Sequence, residues 1–274
     1  MDFRKELLKC YFSIFADFPK LNPDLLFKNI RIVLCQTSHP GNIGSSARAM
    51  KTMGLRQLYL VNPLHFPDPQ ATALAAGADD LLQNAIVTNS LTEALAGCGF
   101  AIGLSARKRT LSHEIVTPKQ AALEANKIAT SQPVALVFGT EMSGLSGEEL
   151  DCCQMQAMIP ANPEYSSLNL AMAVQIMCYE LRMQALDDAL GANSHAAHSP
   201  IDLVPLATNE ELERFYAHLE ETLLHIGYLN PNAPKKLFER LRRLYSRARL
   251  EKEEVNLLRG ILTLSVNPKK HTKY

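Results

Sequence analysis

The chain has 274 residues, 47% of them hydrophobic and 20% charged, which supports a sizeable core and excludes general disorder. It carries 28 basic and 28 acidic residues, so a surface for nucleic acid must come from a local cluster of charge. Its six cysteines include no C-x-x-C pair, and no apolar run approaches the roughly 20 residues that span a bilayer. We therefore expect a cytoplasmic protein with reduced thiols, without a metal site and without a membrane span.

The hydrophobic pattern predicts alternating strands and helices through the first two thirds of the chain, after a short amphipathic arm at 1–28. Nearly continuous apolar runs, typical of strands covered on both faces, lie at 30–35, 57–61, 85–88, 100–104, 133–138 and 157–159. Helical patterns lie between them at 43–53, 91–97, 118–128, 148–152 and 168–187. The alternation predicts an α/β domain over 29–187 with a mainly parallel sheet.

The composition changes at 188–208, where Gly, Asn, Ser and Pro indicate a linker. Beyond it, patterns over 209–226, 234–247 and 252–264 predict three helices in a small all-helical domain at 209–268. Thr208 or Asn209, followed by two glutamates, is a typical helix start.

Three segments rich in small and polar residues each follow a predicted strand. They are GNIGSSAR at 41–48, VFGTEMSGLS at 137–146 and NPEYSSLNL at 162–170. Ligands of open α/β sheets bind at the carboxyl ends of strands, and a helix start offers free backbone N–H groups, so we expect one common site. Taken singly, each segment is also typical of a surface turn or a capped helix start.

Two stretches are locally basic. One is the RKR sequence at 107–109, which follows a predicted strand and suits either solvent or phosphate. The other is 235–252, which has eight basic residues, two acidic ones and leucines at helical spacing. One apolar and one basic helix face predict a surface for a polyanion; a solvated face and a membrane-surface helix are the alternatives.

These motifs, in this order, resemble the SPOUT class of RNA methyltransferases, and within it the TrmH (SpoU) family of 2′-O-ribose methyltransferases. The resemblance is carried by NIGSSAR at 42–48, FGTEMSGLS at 138–146, and IP with YSSLN at 159–169. QTSHPGNIGSSARAMKTMGL at 36–55, NPEYSSLNLAMA at 162–173, LERFY at 212–216 and LRRL at 241–244 resemble its TrmJ-like tRNA methyltransferases. The likeness covers 29–265 and leaves out 1–28.

The resemblance implies a SPOUT-type sheet with a C-terminal trefoil knot, a homodimer, and S-adenosylmethionine as the methyl donor to tRNA. The implied target is cytidine or uridine 32, at the 5′ edge of the anticodon loop. The implied cofactor-binding residues are Leu104, Ser105, Ala106, Gly139, Ile159, Ser166, Ser167 and Leu168. The implied catalytic residues are Arg48, Asn42, Glu141, Ser167 and Asn169. The expected RNA-binding residues are Arg107, Arg109, Arg240, Arg242, Arg243 and Arg247.

Arg48 is the base proposed for this family, but a guanidinium stays protonated, so orienting the ribose and its phosphate is the more conservative role. Thr140 and Met142 stand where many TrmJ-like proteins carry arginine, and Leu104 replaces a more usual polar residue.

The alternative functions are a ribosomal-RNA ribose methyltransferase with the same site and a non-catalytic RNA-binding dimer. A nicotinamide-dependent oxidoreductase is disfavoured because no G-x-G-x-x-G with a downstream acid occurs.

Overall fold

The computed structural model describes residues 26–106, 115–189, 205–231 and 236–267, so residues 1–25 of the predicted arm and 190–204 of the predicted linker lie outside the description. The strands are β1 (Ile30–Cys35), β2 (Gln57–Val61), β3 (Ile86–Thr88), β4 (Phe100–Leu104), β5 (Ile115–Val116), β6 (Val134–Phe138) and β7 (Met155–Ala157). They form one sheet in the order β3-β2-β1-β6-β4-β7-β5, and every strand pair is parallel. The predicted parallel α/β fold is confirmed.

Helices cover both faces of this sheet. They are α1 (Pro40–Met53), α2 (Pro69–Ala75), α3 (Asp79–Gln83), α4 (Leu91–Ala94), α5 (Pro118–Ala129), α6 (Gly147–Asp151) and α7 (Leu170–Ala189). Residues of α1, α2, α5 and α7 form the larger core on one face, and residues of α4 and α6 form a smaller core on the other. Burial on both faces explains why β4 and β6 are apolar at every position.

Several predicted boundaries were wrong. The strand predicted at 157–159 is β7, two residues earlier, and its polar Gln156 is buried within the sheet. The preceding Gln154 accepts a hydrogen bond from the backbone N–H of Ala101 (2.7 Å). Polar side chains therefore occupy the start of a strand that the apolar pattern placed two residues later. The short elements α2, α3 and β5 were not predicted, because a few residues carry too little periodicity.

The first glycine-rich segment is part of a helix rather than a loop before one. His39 caps α1 by accepting the Gly41 N–H on Nδ1 (3.2 Å), and Pro40 is the first helical residue. Gly44 lies where α2 crosses α1, and a Cβ there would come within 2.0 Å of the carbonyl oxygen of Ala71. Helix packing thus accounts for Gly44.

The C-terminal helices are α8 (Asn209–His225), α9 (Leu237–Ala248) and α10 (Lys252–Val266), in agreement with the predicted helical domain. They share a core around Phe215, whose ring meets Tyr245 edge-on with centroids 4.9 Å apart. Thr208 caps α8 through a capping box with Glu211. None of the helices within the described ranges is both long and apolar enough to cross a membrane.

The helical domain contacts the α/β domain at the amino ends of the strands. The carboxylate of Glu210 accepts the Gly97 N–H on both oxygens (3.0 and 3.1 Å), just before β4. Arg249 forms an ion pair with Glu124 (2.5 Å) and lies over the ring of Phe100, the first residue of β4. The basic helix α9 therefore belongs to a domain docked at the opposite edge of the sheet from the carboxyl ends.

Candidate active site

The carboxyl ends of β4, β6 and β7 meet at a cavity of about 350 Å³. Neighbouring parallel strands bring the loops that follow them to one edge of the sheet, where α/β proteins bind ligands. All eight residues expected to bind the cofactor line this cavity: Leu104, Ser105, Ala106, Gly139, Ile159, Ser166, Ser167 and Leu168. The loops after these three strands thus converge. Of the three predicted segments, those at 137–146 and 162–170 contribute residues to the cavity lining, whereas no residue of 41–48 does.

The loop after β6 closes tightly on itself and forms one wall of the cavity. A Cβ on Gly139 would come within 2.1 Å of the carbonyl carbon of Gly144, so only glycine fits. Gly144 donates its N–H to the Thr140 carbonyl (3.0 Å) and has φ = 67°, in the left-handed region that glycine tolerates. The hydroxyls of Thr140 and Ser143 are 2.7 Å apart. Thr140, which departs from the usual arginine, therefore stabilises this turn.

Glu141 fastens the same loop to the start of α1. Its Oε2 accepts the N–H and hydroxyl of Ser38 (3.1 and 3.0 Å), and its Oε1 accepts the N–H of His39 and the side-chain amide of Asn42 (3.1 and 3.0 Å). Partial burial raises the pKa of this carboxyl, but hydrogen bonds from Asn42, Ser38 and His39 outweigh it and lower the pKa from 4.5 to about 2. Glu141 therefore stays ionised and joins the loop after β6 to the start of α1. These hydrogen bonds form what we call the Glu141 latch.

Asn42 links this latch to the third loop. Its Oδ1 accepts the side-chain amide of Asn169 (2.8 Å), while the Oδ1 of Asn169 accepts the N–H of Ala171 (2.9 Å) and so caps α7. The structure thus joins three predicted catalytic residues, Asn42, Glu141 and Asn169, in one hydrogen-bonded chain. The Ser38 and His39 contacts were missed, although both residues lie in the matched motif at 36–55.

Ser167 and Arg48 occupy different surroundings. Ser167 is exposed and lines the cavity. Arg48 is exposed on α1, does not line the cavity, and forms no hydrogen bond or ion pair with another residue in the described part of the chain. Its guanidinium is therefore available to a large ligand that reaches the cavity from outside.

The predicted RNA-binding residues differ in their availability. Arg107 and Arg109 lie outside the described residues. On α9, Arg240 and Arg247 are exposed and Arg243 is partly exposed. Arg242 instead forms an ion pair with Glu213 and lies over the ring of Tyr216, 4.2 Å from its centroid. Arg242 therefore stabilises the helical domain, and the available basic face consists of Arg240, Arg243 and Arg247.

Replacing Glu141 by glutamine should weaken the latch, because an amide group has only one accepting oxygen for these four donors. We expect the free energy of unfolding to fall by about 1 kcal/mol, since the carboxylate is partly exposed. The folded-state pKa lies below the ordinary value, so the charge stabilises the protein above pH 4.5 and this contribution is lost as the pH falls towards 2. Denaturant unfolding at pH 6 and pH 3 should show the wild-type advantage shrinking; an equal difference at both pH values would contradict the latch.

Comparisons with known proteins match both domains of the chain. The model of the SpoU rRNA methylase family matches residues 29–179, and the model of the C-terminal domain of the tRNA methyltransferase TrmJ matches residues 210–273. The tRNA (cytidine/uridine-2′-O-)-methyltransferase TrmJ of Pectobacterium atrosepticum is 52% identical over 238 residues, which is 87% of this chain and 97% of that protein. The protein of the same name from Salmonella typhimurium is 54% identical and covers 86% of this chain and 96% of its own length.

Solved structures have the same architecture. The crystal structure of TrmJ from Z. mobilis superposes with a TM-score of 0.73 at 34% identity, covering 85% of this chain and 97% of that one. A probable methylase family protein from Haemophilus influenzae superposes with a TM-score of 0.57 at 44% identity, covering 86% and 95%. With both domain matches in the expected order and relatives more than half identical over most of the chain, the chain belongs to the SpoU rRNA methylase family, in its TrmJ-like group.

Proposed function

We propose that this protein transfers a methyl group from S-adenosylmethionine to the ribose 2′-OH of a cytidine or uridine in tRNA. The observation that carries the proposal is the convergence of three strand-end loops on one cavity beside the Asn42, Glu141 and Asn169 chain. Relatives more than half identical along most of their length are named for this reaction. By family likeness the target is position 32, at the 5′ edge of the anticodon loop.

The cavity suits the proposed cofactor in size and chemistry. Its volume of about 350 Å³ is within the range of small-molecule sites, roughly 300–1,000 Å³. Leu104, Ala106 and Ile159 provide apolar walls, while Ser166 and Ser167 add polar groups before α7. S-adenosylmethionine supplies an electrophilic methyl group on a sulfonium.

The surrounding side chains have distinct proposed roles. Glu141 is an unsuitable base, because both its oxygens accept hydrogen bonds and its pKa is about 2. It holds Asn42 instead, which with Ser167 and Asn169 orients the loops around the reacting hydroxyl. Arg48 binds the phosphate beside the target through its guanidinium group. As the methyl group passes from the sulfonium to the 2′-oxygen, the hydroxyl proton passes to water, and Arg48 stabilises the negative charge that develops on that oxygen. Such positioning can contribute several kcal/mol, about 7 in well-oriented cases.

Mass spectrometry of tRNA nucleosides after incubation with the protein and labelled S-adenosylmethionine tests the activity directly. The expected product is 2′-O-methylcytidine or 2′-O-methyluridine, and fragment mapping should locate it at position 32. Ribosomal RNA in a parallel reaction serves as the comparison substrate. Label in ribosomal RNA with none in tRNA would reverse the substrate assignment.

A homodimer and a trefoil knot are further parts of the proposal. Met172 and Tyr179 are exposed and lie two turns apart on one side of α7, opposite its buried residues, so a second apolar face is open to another copy. Sedimentation velocity would measure the dimer.

The proposed domain boundaries divide the chain into an arm at 1–28, a methyltransferase domain at 29–187, a linker at 188–208 and a helical domain at 209–268. The family matches at 29–179 and 210–273 support this division. With tRNA as substrate, the expected compartment is the cytoplasm.

The helical domain is proposed to hold tRNA through α9. Arg240, Arg243 and Arg247 are three and four residues apart and so share one side of the helix. Replacing all three by glutamine should weaken tRNA binding by tenfold or more near 0.1 M salt. It should also lower the salt slope by up to about three, one for each phosphate that the variant no longer neutralises. Filter binding across salt concentrations measures both quantities.

Arg242→Gln is the matched control for this triple variant. It removes one charge from the same helix but breaks the ion pair with Glu213. We expect it to lower the free energy of unfolding and to leave the salt slope near that of the wild type. A triple variant with an unchanged salt slope would remove α9 from the tRNA-binding surface.

A further inference from the structure

Two large side chains at the cavity rim are exposed without an evident structural role. Tyr165 is 79% exposed and immediately precedes the cavity-lining residues Ser166 and Ser167. Met142 is 93% exposed and belongs to the loop after β6, which forms another wall. Large apolar surface left in water beside a ligand cavity is typical of a binding contact.

A well-formed turn presents the ring of Tyr165. The backbone N–H of Tyr165 donates to the Asn162 carbonyl (3.0 Å), and the N–H of Glu164 donates to the side-chain oxygen of Asn162 (3.1 Å). Among the described residues, none forms a hydrogen bond with the tyrosine hydroxyl. The turn therefore holds the backbone of Tyr165 at the rim, while most of its side chain stays open to a ligand.

Met142 is held in a similar way on the loop after β6. The turn closed by Thr140 and Gly144 fixes its backbone, while its side chain extends into solvent. Methionine is flexible and polarisable, so it can adapt to flat ligands of different outline. One rigid aromatic and one adaptable apolar side chain thus stand on two loops that border the same cavity.

We propose that Tyr165 stacks on the base of the nucleotide whose ribose is methylated, with Met142 as an apolar contact from the loop after β6. The inference rests on the proposed function. When the 2′-OH reaches the cavity, the base on the same ribose must lie at the rim, and single-stranded RNA bases are commonly bound by stacking on aromatic rings. Cytidine and uridine differ only on the base edge, which a stacked ring does not contact, so this contact accepts both.

Steady-state kinetics on two tRNA transcripts, with cytidine or uridine at the mapped target position, test the stacking contact. Tyr165→Ala should lower kcat/KM about five- to hundredfold, the range expected for one stacked base. The loss should be equal for the two transcripts, because stacking does not distinguish them. Tyr165→Phe should stay near wild type, and calorimetry should give unchanged S-adenosylmethionine affinity for both variants.

A fluorescent cytidine analogue at the target position reports stacking itself. Wild type and Tyr165→Phe should quench its emission on binding, whereas Tyr165→Ala should not. Tyr228→Ala is the matched control, since that tyrosine is 66% exposed but lies in the helical domain, beyond α8; quenching should persist.

Several outcomes would overturn the proposal, and they differ from failure of the proposed function. An unchanged kcat/KM in Tyr165→Ala would remove the stacking contact, and a changed preference between the two transcripts would show that Tyr165 contacts the base edge instead. Loss of the dimer in sedimentation would identify Tyr165 as a subunit contact. A wild-type protein that methylates no tRNA would refute the proposed function, and the stacking role with it.

Discussion

Replacing Arg48 by alanine should reduce methyl transfer at least a hundredfold while leaving S-adenosylmethionine binding intact. Arg48 is exposed, lies outside the cavity lining and has no hydrogen bond or ion pair within the described residues, so its removal disturbs neither fold nor cofactor site. Loss of one group that stabilises a developing oxyanion costs about 10²–10³ in rate. Incorporation of tritiated methyl groups into tRNA measures the loss, and calorimetry measures cofactor affinity.

Two further variants sharpen this test. Arg48→Lys keeps the charge but not the planar fork, so partial activity would indicate charge stabilisation and none would indicate bidentate phosphate binding. Arg56→Ala removes an exposed arginine that follows the C-terminal end of α1, and near-wild-type activity is expected. Methyl transfer by Arg48→Ala at the wild-type rate would remove Arg48 from the mechanism.

Replacing Gly139 by alanine should abolish cofactor binding although it removes no polar group from the site. The added methyl group would lie 2.1–2.4 Å from backbone atoms of Gly144 and Leu145, and backbone cannot yield as a flexible side chain can. The loop must open, which displaces the cavity wall that includes Thr140 and Glu141. Overpacking of this kind also lowers the free energy of unfolding by about 1–3 kcal/mol.

Calorimetric titration with S-adenosylmethionine, beside denaturant unfolding, measures both effects of Gly139→Ala. Gly260→Ala is the matched control, because a Cβ at that position of α10 meets no atom within 4 Å. It should bind the cofactor normally and be slightly stabilised, since alanine favours a helix over glycine by about 1 kcal/mol. Normal binding by Gly139→Ala would mean that this loop does not form the cofactor site.

Local patterns predicted most of the fold because buried strands and amphipathic helices leave strong periodic signals. β1, β2 and β4 agree with the predicted bounds to the residue. The errors fall where side-chain chemistry overrides periodicity, as with Gln156 inside β7, or where elements are very short, such as β5. The helix predicted at 43–53 begins at Pro40, because His39 caps α1 and the glycine-rich residues form its first turns.

The exposed charge of α9 was less predictable than the fold. Arg242 and Arg243 are adjacent in a basic stretch, and sequence alone treats them alike. The side chains of neighbouring residues in a helix point about 100° apart. Arg242 therefore forms an ion pair with Glu213 on α8, while Arg243 stays partly exposed. Which basic residues are available therefore depends on how α8 and α9 pack.

The amino-acid sequence alone determined the order of the longer strands and helices and the positions of the three motif segments, because each leaves a local signature. The family resemblance implied eight of the residues that line the cavity. Only the tertiary structure decided that Glu141 binds Ser38, 103 residues away, and that the helical domain docks at the amino ends of the strands. The reason is sheet register: Leu34 of β1 pairs with Phe138 of β6, which brings the loops after both strands together. Contacts of this kind depend on which strands become neighbours, and no local pattern encodes that choice.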